Sequence, residues 1–95
     1  MADINVQVNI DDNGKNFDYA YTVTTESELQ KVLNELKDYI KKQGAKRVRI
    51  SIVASDGDDY SNRFAAILIK VFADLGYNDI DVTFTGDTVT VEGQL

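Results

Sequence analysis

A two-layer α+β fold, a five-stranded antiparallel sheet with two helices on one face, is the architecture this 95-residue chain predicts. Three observations predict it. Five short segments alternate polar and apolar residues with a period of two, the pattern of strands buried on one face only. Two longer segments repeat apolar residues at helical spacing. The elements follow one another as ββαβαββ, an order that leaves few ways of stacking them.

The first strand is read from residues 4 to 10, where Ile4, Val6, Val8 and Ile10 alternate with Asn5, Gln7 and Asn9. Asp12-Asn13-Gly14-Lys15 turns the chain back, because Asn-Gly accepts the positive φ angles of a tight hairpin. Phe17, Tyr19, Tyr21 and Val23 then line one face of a second strand. Thr25-Glu26-Ser27-Glu28 fits a capping box, in which the Thr oxygen meets a free backbone N–H and Glu28 reaches back to the cap. Leu29, Val32, Leu33, Leu36 and Ile40 follow as a helical stripe, and Gly44 stops it.

The third strand sets Val48, Ile50 and Ile52 against Arg47, Arg49 and Ser51. An Asp- and Gly-containing segment leads into the second helix, whose expected buried stripe is Phe64, Ile67, Leu68, Val71 and Leu75, with Gly76 ending it. Ile80, Val82 and Phe84 are expected to point inward on the fourth strand, and Val89 and Val91 on the fifth. Thr85-Gly86-Asp87-Thr88 is the hairpin turn between them.

Helices of about 17 residues rise roughly 25 Å, close to the length of strands of 7 to 9 residues, so each helix returns the chain along one strand. Strands two and three then run parallel, as do three and four. In the sheet order 2-1-3-5-4 every adjacent pair becomes antiparallel, and that is the order expected. One polar face per strand means that the helices cover a single side and leave the other open to water.

Residues 1–95 are expected to form one domain, long enough to bury a core without disulfides or a metal. The chain has no His, Cys, Trp or Pro. Without Cys, a structural zinc site of the thiolate kind is excluded. The net charge of −6, from 10 basic and 16 acidic side chains, repels phosphate backbones, so no nucleic-acid partner is expected. The longest nearly apolar run, Phe64 to Ile69, is far short of the ~20 residues that span a bilayer, and Met1-Ala2-Asp3-Ile4 has no basic start to a signal peptide. A soluble, untargeted monomer follows as the expectation, with charged residues such as Lys15 and Asp18 discouraging the edge at strand two from pairing with a second copy.

Several runs carry a resemblance. Val6 to Tyr19, Thr22 to Leu36, Phe64 to Ala73 and Gly86 to Gly93 are similar, nearly residue for residue, to the Top-7 family of computationally designed (de novo) α/β proteins. The resemblance spans almost the whole chain. It implies the same sheet and helices, made to realise a topology, with no catalytic or ligand-binding residues to carry over. The departure lies at 53–63, where the family enters its second helix through a Thr-, Lys- and Glu-rich segment one residue shorter. Here the entry is acidic and contains Gly57, which reads as a remodelled loop and helix start.

Residues 55–62, Ser-Asp-Gly-Asp-Asp-Tyr-Ser-Asn, are therefore the one candidate site. On the structural reading, Asp56, Asp58 or Asp59 caps the second helix and the others lean on the positive end of its dipole. A binding reading makes Asp56, Asp58, Asp59 and Tyr60 the contact residues of a designed module for a protein partner, since Tyr beside Gly, Ser and Asn is the mix of binding loops. A divalent cation held weakly by the hard oxygens is the other form of that reading. The spacing opposes a Ca²⁺ loop of the EF-hand kind: its twelfth position falls on Ile67 or Ile69 in place of Glu. An Asp-x-Ser-x-Ser metal site starting at Asp59 meets Arg63. A phosphoacceptor reading of Asp58-Asp59 fails because the later strands carry Thr83, Thr85 and Thr90, without the Lys such domains need.

Enzymatic readings do worse. Proton transfer near neutral pH lacks His and Cys, and a nucleophilic Ser lacks its usual base. Ser27 reads as a first-turn helix residue and Ser51 as an open-face strand residue. Gly57 has no partner glycine and no following Lys-Ser or Lys-Thr, so no phosphate loop is present. The open face offers Arg47 and Arg49 but no outward aromatic on which an RNA base could stack, and those arginines are expected to pair across strands with acidic neighbours. The chain is thus expected to be a non-enzyme, without a cofactor, resident metal or catalytic residue.

Overall fold

The computed structural model describes residues 3–54 and 60–95, the Ala54 side chain excepted. Its elements are β1 (Ile4–Asp12), β2 (Lys15–Val23), α1 (Glu26–Gln43), β3 (Arg47–Ala54), α2 (Ser61–Asp74), β4 (Asp79–Thr85) and β5 (Thr88–Gln94). The sheet runs β2-β1-β3-β5-β4 and all four adjacent pairs are antiparallel, as the reading of the sequence requires.

The register follows from the turns. Asn13 (φ 53°) and Gly14 (φ 86°) both take positive φ, the type I′ geometry whose twist suits a two-residue hairpin, and Asp12 pairs with Lys15 across it. In the β4–β5 hairpin Gly86 (φ 58°) alone takes positive φ, the II′ pattern, and Thr85 pairs with Thr88. Because side chains alternate with a period of two, these registers place Val6, Ile52 and Val89 in one row on the helix side, and Val8, Ile50 and Val91 in the next.

Those rows are buried, and Leu29, Leu33, Leu36 and Ile40 of α1 and Phe64, Ala65, Leu68, Val71 and Phe72 of α2 close over them. No polar or charged residue is buried among those described. On α2 the buried face is turned from the expected stripe: Ala65 and Phe72 are inside, while Ile67 and Leu75 pack only at the margin. The cause lies on β5. Gly93 leaves a gap in the sheet surface, and Phe72 fills it, its ring so close that a Cβ at Gly93 would stand 2.7 Å from Cδ1.

β4 supplies the second correction. Ile80, Val82 and Phe84 share the helix side with Gly93, Val91 and Val89, their partners on β5, but Val82 is 36% and Phe84 52% exposed. Only Ile80 packs against the core margin. β4 is an edge strand, and α2 lies mainly over its inner neighbour β5, so facing the helix layer does not amount to being covered by it.

Helix ends agree with the sequence in kind. Thr25 is the N-cap of α1, accepting the Glu28 N–H at 3.1 Å, but the Glu28 carboxylate takes the hydroxyls of Thr24 (3.0 Å) and Thr25 (3.3 Å) in place of the backbone N–H expected of a full capping box. Gly44 ends α1 in the left-handed conformation. At the end of α2 the N–H groups of Gly76 and Tyr77 reach the carbonyls of Ala73 (3.0 Å) and Phe72 (3.2 Å), a complete Schellman motif. Its hydrophobic closure is the Phe72–Tyr77 ring pair, with centroids 5.7 Å apart.

Topology makes α1 and α2 run in the same direction, since each returns the chain from the end of one strand to the start of another parallel to it. Two ion pairs tie them together: Glu26–Arg63 at 2.9 Å and Lys37–Asp74 at 3.4 Å. On both helices the paired residues are 11 apart (26 to 37, 63 to 74), about three turns at 3.6 residues per turn.

Candidate functional site

Of the four residues that the sequence offers for binding, Asp56, Asp58 and Asp59 lie outside the described residues, and so does the expected capping of the second helix by one of them. Tyr60 is described. It immediately precedes α2 with helical φ −93° and ψ −20°, and its side chain makes no cap hydrogen bond. One turn later stands Phe64. The Tyr60 ring stacks on it with centroids 5.8 Å apart and planes 24° off parallel, and packs at the margin of the core. An i, i+4 aromatic pair on the inward side of a helix start uses the Tyr60 ring for packing, so the aromatic member of the proposed contact set is already engaged.

The open sheet face holds the other grouping of polar side chains. A shallow concavity of about 490 Å³ lies over Ala20, bordered by Gln7, Asn9, Asp18, Arg49 and Ser51. It exists because Ala20 is the small residue in a row with Gln7, Ser51 and Thr90. Around it the partners are satisfied locally: Asn9 Nδ2 donates to Asp18 Oδ1 at 2.7 Å, and the Ser51 and Thr90 hydroxyls meet at 2.9 Å. The arginines behave differently from one another. Arg47 reaches diagonally to Glu92, with Nη2–Oε1 at 2.7 Å, whereas Arg49, whose register partner on β5 is Glu92, makes no ion pair among the described residues. Amides, hydroxyls, the Arg49 guanidinium and the Asp18 carboxylate can hold water or a weak solute here, and the Ser51 hydroxyl meets Thr90 rather than a base that would activate it.

Two tyrosines, Tyr19 and Tyr77, have pKa values raised by their surroundings. Tyr19 Oη donates to Tyr39 Oη at 3.1 Å, and the rings meet edge to face. That hydrogen bond, with a smaller contribution from burial, raises the Tyr19 pKa. Tyr77 Oη is buried and donates to the Ala45 carbonyl at 2.7 Å, and desolvation raises its pKa. Both positions are explained by packing. The only signal for Tyr77 was its place directly after Gly76, where a Schellman motif wants an apolar side chain.

A core whose buried Tyr77 hydroxyl is hydrogen-bonded and which holds no other buried polar residue among those described, two-residue hairpins of the favoured types and glycine-terminated helices define the class of idealised, designed α+β proteins. Comparison with solved structures agrees. The chain is similar to the de novo designed protein Top7NNSTYCC, solved by NMR, with 73% identity over 98% of this chain and 87% of that one and a TM-score of 0.82. It is also similar to the de novo designed Top7-fold protein Top7m13, with 50% identity over 100% and 88% of the two chains and a TM-score of 0.60. On that similarity the chain belongs to the family of de novo designed Top7-fold proteins. A third relative is M7, a computationally designed artificial protein, 26% identical over the whole of both chains with a TM-score of 0.90. No protein-family model and no curated protein matches the chain.

Proposed function

We propose that the chain is a stable designed scaffold, a single domain over 1–95 with no natural biochemical activity, in which segment 53–63 is an engineered change of loop and helix start. The observation that carries this reading is the agreement between family and interior: the chain is 73% identical to a de novo designed protein, and every described core position is spent on packing. Natural catalytic sites commonly carry buried polar or strained groups that work against stability. Here the buried hydroxyl of Tyr77 has a structural partner, and no buried side-chain polar atom lacks one among the described residues.

The binding-module reading rests on Asp56, Asp58, Asp59 and Tyr60, and the stacking of Tyr60 on Phe64 weighs against it. The two readings separate in one experiment. A scaffold gives no saturable amide shifts in 55–62 when a fragment library, Ca²⁺ or Mg²⁺ is titrated, and its melting temperature is the same in EDTA. A module gives saturable shifts that disappear when Asp56, Asp58, Asp59 and Tyr60 are replaced by Ser or Ala.

A further inference from the structure

The two edges of the sheet are built differently. At β2, Phe17 also stands exposed on the helix side, but Tyr39 of α1 leans against Tyr19 and shares a hydrogen bond with it, so a helix side chain reaches over the middle of that strand. At β4, Val82 and Phe84 stand exposed on the helix side. The open-face side of the same strand carries Asp79 and Asp81, and neither makes an ion pair among the described residues. Asp81 stands directly opposite Glu92, a like charge whose own cationic partner is Arg47 of β3. Like charges directly opposed across a ladder are destabilising. Along one free edge β4 thus presents unpaired backbone groups, with an apolar row on one side and an uncompensated acidic row on the other.

We infer that the β4 edge is a docking site for an extended peptide that alternates basic and apolar residues, and that this peptide adds to the sheet as a further strand. Alternation satisfies both rows at once. A strand whose even positions meet Asp79 and Asp81 must direct its odd positions toward Val82 and Phe84, while its backbone completes the ladder. Charge selects the occupant. A second copy brings another acidic row and a chain of net charge −6, whereas a cationic strand relieves the opposition of Asp81 and Glu92. The inference does not depend on the scaffold reading, since it uses no residue of 53–63.

The test is titration of the full chain with a seven-residue peptide alternating lysine and valine, matched to the seven residues of β4. Amide shifts are expected in 79–85 and the adjoining β5, and D79N/D81N should weaken binding about tenfold, the sum of two lost cross-strand pairs. Two N-methylated peptides separate strand addition from charge attraction, one blocked at the lysines and one at the valines. The N–H groups of the two sets point to opposite edges, so one peptide should bind and the other fail. Binding by both would overturn the proposal. So would equal binding of a block peptide of the same composition, shifts spread over the acidic residues of α1 and β2, or a dimer formed through β4 in sedimentation without peptide.

Discussion

The ring of Phe72 lies directly against the backbone of Gly93, filling the volume that any other residue at 93 would need for its side chain. A Cβ there would come within 2.7 Å of Phe72 Cδ1 and 3.2 Å of Tyr77 Cβ. Gly93 is buried in the last strand without positive φ, so its role is the close approach of α2 and not a turn.

Gly93→Ala should therefore destabilise the fold by about 1–3 kcal/mol through overpacking, read as a lower denaturation midpoint with an unchanged m-value. Adding Phe72→Leu should return part of the loss, because the smaller side chain vacates the disputed space. Two losses that simply add would refute the contact as the cause.

Tyr77→Phe removes the hydroxyl that holds the Ala45 carbonyl at 2.7 Å and leaves a buried acceptor without a partner. The expected cost is about 1–3 kcal/mol in equilibrium unfolding. A loss near zero would mean that water replaces the hydroxyl.

The same residue sets an alkaline limit. Burial raises the Tyr77 pKa above 10.0, and the hydrogen bond to Tyr39 raises that of Tyr19. The unfolded chain then releases these protons first, so the folded state binds more of them over that interval. Stability is fully present below pH 10 and falls as pH rises through the folded-state values. A denaturation series from pH 8 to 12 should show that decline, and it should be shallower in Tyr77→Phe.

Thr25→Ala should cost about 1 kcal/mol, because the Glu28 N–H loses its acceptor at the start of α1. Thr25→Ser should keep most of the stability. Equal losses in the two variants, measured by thermal melting, would assign the effect to something other than the cap.

The interhelical pairs Glu26–Arg63 and Lys37–Asp74 are solvent-exposed on at least one side and should matter little. Replacing either with a neutral pair is expected to change stability by about 0–1 kcal/mol, less in 1 M salt. Their eleven-residue spacing contributes the alignment of the two helices more than it contributes free energy.

How much was legible depended on how local the cause was. Asn13-Gly14, Thr25 and Gly44 each act within a few residues, and their turn, cap and stop are readable from the residues themselves. Helix and strand lengths made the directions of strands two, three and four legible, and the order 2-1-3-5-4, chosen because it makes every adjacent pair antiparallel, is the one the sheet has. Phe72 reads as core or core margin from its type, but the rotation of α2 that buries Ala65 and leaves Ile67 and Leu75 at the margin was not legible, since it seats Phe72 against a glycine 21 residues away in the chain. Nor was the Tyr60–Phe64 stack, which turned one of four candidate contact residues toward the core, while Asp56, Asp58 and Asp59 lie outside the described residues.

By itself, then, the sequence determined the seven elements, their order and the side of each strand that faces the helices, because alternation, capping and turn chemistry are properties of neighbours in the chain. Only the tertiary structure decided which apolar residues are covered. Burial depends on what lies above a side chain: α2 seats itself over Gly93 and β5, Phe72 goes inside, and Val82 and Phe84 are left exposed on an edge that α2 only partly covers.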